Sequence, residues 1–127
     1  MSAVDDAFYQ NDCVRVMAQI TKQLAIDTNG KIAPQQDALD GAEATIASLV
    51  AAGQVPPADL ATKTDEYVQG VKDSYEAAKA ASEASLALPV EVQSALGIIP
   101  EREQARLDIA NQWLFAIDQA WTPGGGN

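Results

Sequence analysis

From Leu60 to Ser85, apolar or small residues recur in steps of four and three: Leu60, Thr64, Tyr67, Val71, Tyr75, Ala78, Ser82 and Ser85. Such spacing draws one stripe along a helix for almost four heptads, whereas a strand alternates its faces every second residue. An isolated helix has little stability in water, so the stripe must be covered by other elements. The rest of the chain supplies them in the same idiom.

A first helix is predicted from about Ala3 to Thr28. Ser2 is its N-cap, with Asp5 in capping-box register, and Asp5 and Asp6 suit the helix dipole. Cys13, Met17, Ile20 and Leu24 form its stripe, which Phe8, Val14, Val16 and Ile26 broaden, and Asn29-Gly30 supplies a left-handed stop. A second helix opens near Pro34 and ends at Gly53, with Leu39, Ala42, Ile46 and Leu49 as its seam. Gly41 within it is small enough for a close helix crossing.

Pro56-Pro57 starts the third helix, which runs to about Leu88 before Pro89. A short helix spans about Val90 to Leu96 and stops at Gly97. The last begins at Pro100, with Leu107, Ala110, Leu114, Ile117 and Trp121 as its seam. The expected fold is all-α: an antiparallel bundle of four long helices plus one short helix, with a flexible C-terminal tail. Residues 1–121 form a single helical domain, and the Gly-rich stretch 122–127 cannot continue a helix.

Charge narrows the partners. Eighteen Asp and Glu against eight Lys and Arg give −10, spread evenly along the chain, and no run of cations exists. Direct nucleic-acid binding needs a cationic footprint, and an anionic membrane surface repels a chain of this charge. No apolar stretch approaches the 18 residues of a membrane span. The opening Met1-Ser2-Ala3-Val4-Asp5-Asp6 lacks the basic and apolar segments of a secretory signal, so synthesis in the cytoplasm is expected.

The sequence also lacks the usual chemical equipment. With no histidine, the commonest general base, the Ser-His and Cys-His nucleophile pairs and imidazole metal ligation are all missing. Cys13 stands alone and reads as a small thiol among helical apolar positions. The segment 37–41, with Asp37, Asp40 and Gly41, lacks the alternating oxygen ligands of a calcium loop. No cofactor, metal or catalytic residue is expected, and the carboxylates read as solvated helix faces.

Contacts with other proteins are the remaining use. The third helix should outreach the second, at roughly 48 Å against 28 Å. Its overhang carries Ala77, Ala80, Ala81, Ala84, Ala87 and Leu88. This segment either packs within the chain or forms a subunit interface. Trp121, at the end of the last helix, is placed either in the core or at a partner contact. These seven residues are the candidate interface. The implied function is a non-catalytic structural or adaptor subunit of a multi-copy assembly, such as a phage or virion connector, collar or decoration protein. Its partners would be protein subunits, of itself or of other components. A helical regulator or chaperone-like module that grips a partner's helix is the alternative.

Overall fold

The computed structural model describes residues 2–124. Among them are five helices and no strand: α1 (Ala3–Asp27), α2 (Ala33–Ala51), α3 (Leu60–Ala87), α4 (Val90–Leu96) and α5 (Pro100–Ala120). The boundaries follow local chemistry. Ser2 Oγ accepts the Asp5 amide at 3.0 Å and starts α1. At its far end Asn29 rather than Gly30 takes the left-handed conformation, with φ 61°. The Gly30 and Asn29 amides then close onto Ala25 and Ile26 carbonyls. The same paired closure ends α2 around Gly53 and α4 around Gly97, both with positive φ.

The third helix is shorter than its sequence pattern predicts, by one turn at the start. Residues Pro57–Asp59 form a separate turn, in which the Leu60 amide reaches the Pro57 carbonyl. At the other end Leu88 is extended because Pro89 follows it. The helix still spans 28 residues, or about 42 Å, against 19 residues and about 28 Å for α2.

Side-chain pairings fix the directions. Tyr9 meets Asp59 and Asp12 meets Thr64, so α1 and α3 run the same way. Trp121 meets Asp65, Lys72 meets Asp118, and Ser82 meets Glu103, so α5 runs opposite to α3. α2 folds back along α1 and joins it through Lys22 and Gln36.

The four long helices do not share one core. Helices α1, α3 and α5 enclose Val16, Ile20, Val68, Ala116, Ile117 and Trp121, and α2 lies outside them, packed chiefly against α1 through Leu39 and Ala42. This arrangement makes α1 the element with the most neighbours. Three more expectations are corrected at the level of single residues. Val68, completely buried, takes the place in the α3 stripe expected of Tyr67, which is 49% exposed. Of the broad α1 stripe, Phe8, Val16 and Ile20 are buried, Cys13 is only half-buried, and Val14 and Ile26 turn to solvent. Gly41 faces open space, so no close crossing depends on it.

These placements set two stability expectations. Ile20→Ala should cost about 2–5 kcal/mol in urea unfolding, because it opens a cavity where three helices meet. Gly41→Ala should add up to about 1 kcal/mol, since the helical backbone gains rigidity and the new methyl meets nothing.

Candidate interaction surface

The two ends of the molecule differ in what closes them. At the end where α3 begins, side chains tie all three core helices together. The Asp12 carboxylate accepts from Arg15 at 2.9 Å and from Thr64 at 2.7 Å. Asp65 accepts the Trp121 indole N–H at 3.1 Å and the Gly124 amide at 2.7 Å. Tyr9 donates to Asp59 at 2.6 Å, which pushes the tyrosine hydroxyl up to about 12. Burial pushes the Cys13 thiol up, against a smaller opposing pull from the Thr64 hydroxyl.

A small cavity at this end is lined by Asp12, Arg15, Gln19, Thr64, Asp65 and Trp121, among others. Two carboxylates, Asp12 and Asp65, face this shared hollow. Every oxygen of the pair accepts from an internal donor, so both carboxylates hold helices together. Among the described residues no group of three or more potential ligands is placed to hold a metal ion.

The opposite end is built from two helices instead of three. The last turns of α1 lie beside Trp113, which stacks on Tyr75 at 5.1 Å with an interplanar angle of 8°. Past this pair α1 has ended, while residues 76–87 of α3 and 100–110 of α5 continue as a hairpin of about 18 Å. Ser82 and Ala110 are buried between them, and Ser82 donates to Glu103. At the tip, the Gln93 amide of α4 donates to the Ser85 and Leu86 carbonyls at 3.1 and 3.3 Å, satisfying groups that the end of α3 leaves open.

Six of the seven expected contact residues are on this arm. Ala77, Ala80, Ala81, Ala84 and Ala87 are exposed and Leu88 is half-buried. At about 100° per residue, Ala77 and Ala84 face most directly away from α5, while Ala80 and Ala87 turn to one flank and Ala81 and Leu88 to the other. That flank carries no charge. Lys72, Glu76, Lys79 and Glu83 all fall on the other side of the helix.

Trp121 does not belong with them. It is 6% exposed, sits in the core at the far end of the molecule, and gives its indole N–H to Asp65. Of the two placements the sequence allows it, the structure takes the core, because the chain turns extended at Trp121 and folds the ring inward. The arm instead gains residues that the helical stripes do not single out. Val90 is 72% exposed, and Val92, Leu96, Ile99 and Ile109 are also open to solvent. Their signal was present in the sequence: Ile109 is a large apolar residue off the α5 seam, and α4 is too short to bury three of its own.

Between α3 and α5 the arm has an open groove of about 370 Å³, lined by Tyr75, Ala78, Ala81, Ser82, Glu103, Arg106, Ile109 and Ala110. Arg106 and Glu103 pair with one another at 3.1 Å, so the groove carries no net charge. No protein-family model, curated protein or solved structure matches the chain.

The tie at the closed end has a spectroscopic consequence. With its folded pKa above the ordinary value of 10, Tyr9 holds its proton while an unfolded chain has already lost it. Its stabilising effect is therefore complete below pH 10 and fades as the pH climbs towards 12. Tyrosinate absorbance should show a component titrating near pH 12 that Tyr9→Phe removes.

Proposed function

We propose that this chain is a non-catalytic structural or adaptor subunit of a multi-copy protein assembly. The observation that carries the reading is the two-helix arm, whose exposed alanines, valines and Ile109 lie beyond the three-helix core. Burying apolar area is the main driving force for association, and a monomer gains nothing by presenting an arm of this kind to water. The lack of histidine and the internally satisfied carboxylates support a role without chemistry. The net charge of −10 supports protein rather than nucleic acid as the direct partner. No helix among the described residues is long and apolar enough to cross a membrane.

The most concrete form of this reading is a phage or virion component, such as a connector, collar or decoration protein. The arm suits a part that must seat against neighbours while a compact body stays outside. A second reading, a regulator that grips a partner's helix, is favoured by the open groove between α3 and α5. The two separate in a purification. A virion component is expected in purified particles at a fixed ratio to the capsid protein, by quantitative mass spectrometry. Recovery only from the particle-free fraction, bound to one client, would remove the virion form and leave the regulator.

A further inference from the structure

The joint between α1 and α2 turns on an Asn-Gly pair. Asn29 and Gly30 are both exposed, and Asn29 holds the left-handed turn that stops α1. Asn11 and Asn111, by contrast, lie within helices and precede Asp12 and Gln112. Asn29 alone of the three combines a side-chain amide open to water, a following residue with no side chain, and a place between elements.

Those features belong to one reaction, which makes asparagine a thermolabile residue. The main-chain nitrogen of the next residue attacks the side-chain amide carbon, and a glycine there leaves that nitrogen uncrowded. The new C–N bond closes a five-membered succinimide. The Cγ–Nδ2 bond breaks, and ammonia leaves with the proton that the attacking nitrogen gives up. Water then opens the ring at either carbonyl, giving aspartate or isoaspartate.

We infer that Asn29 is a site of spontaneous conversion to aspartate and isoaspartate, gated by the end of α1. The gate is a hydrogen bond. The Gly30 N–H, the group that must give up its proton, donates to the Ala25 carbonyl at 2.7 Å. The Thr28 and Asn29 amides, on the Leu24 and Ile26 carbonyls, complete the stop. While these bonds hold, the attacking nitrogen is fixed to α1 with its proton engaged. Conversion therefore proceeds from molecules in which this last turn has frayed.

The product suits its place less well than asparagine does. A carboxylate at residue 29 stands at the negative end of the α1 dipole, in a helix with no basic residue in its last turn. It adds one more negative charge to a chain of −10. The isoaspartate form also inserts a methylene into the main chain where α1 reverses into α2. Because α2 leans chiefly on α1, one covalent change here reaches two helices. The site is separate from the arm and stands whether or not the chain is an assembly subunit.

Peptide mapping by mass spectrometry tests this. Trypsin cuts after Lys22 and Lys31, so residues 23–31 form a peptide in which Asn29 is the only asparagine. After the intact chain is held in warm, mildly alkaline buffer, this peptide should gain about 1 Da at residue 29 and split into two chromatographic forms. In guanidinium chloride the gain should run about tenfold faster, because no cap then holds the Gly30 nitrogen. Gly30→Ala suits the fold, since the added methyl would meet Ala25 at 3.5 Å, an ordinary contact. With helicity retained, that variant should convert about tenfold more slowly, its nitrogen now crowded. No gain in denaturant, earlier conversion at Asn11 or Asn111, or an unchanged rate in Gly30→Ala overturns the site. Equal rates in the folded and denatured chain overturn the gate.

Discussion

The structure depends on how closely three helices can approach around Ile20, Val68 and Ile117. Few large side chains are available, and much of the apolar content is alanine, so the core cannot be thick. It is made dense instead by letting α5 present Ala110 and Ala116, both buried, to neighbours that bring the larger residues. Trp121 closes one end of this core, and Trp113 stacked on Tyr75 closes the other. Where the large residues run out, the third helix runs out too, and only the thin α3–α5 hairpin goes on.

Polar groups take over the duties that a thicker core would perform. Asp12 and Asp65 each bind two donors, and between them they reach α1, α3 and the segment after α5. Hydrogen bonds to charged groups are worth about 1.5–3 kcal/mol when partly shielded from water, comparable to a large buried side chain. Gln93 does the same for the end of α3 at the tip of the arm. The acidity of the chain thus has an internal use as well as a solvated one.

The helices were largely legible because their boundaries are set locally. Pro34, Pro89 and Pro100, the Ser2 cap and the Gly53 and Gly97 stops act over a few residues, and each lies within about three residues of an observed end. The rotation of each helix was less legible. Tyr67 and Val68 are adjacent and both apolar, and only the position of α1 decides which turns inward. The separation of α2 from the core is likewise a tertiary outcome, since its seam is as regular as the others. For the contact surface, the alanine overhang could be read from helix lengths. The groove could not, because it arises where α1 stops relative to Tyr75, and that register is set by long-range pairings such as Tyr9 with Asp59. Trp121 was ambiguous for a related reason: its acceptor, Asp65, is 56 residues away.

Ser2, which begins α1, and Gly124, held on Asp65, both lie at the end of the molecule where α3 begins. The arm points to the opposite pole. A fluorophore carried at Ser2 or Gly124 would therefore sit at the pole away from the hairpin. Labelled copies can report on what the arm touches without standing in its way.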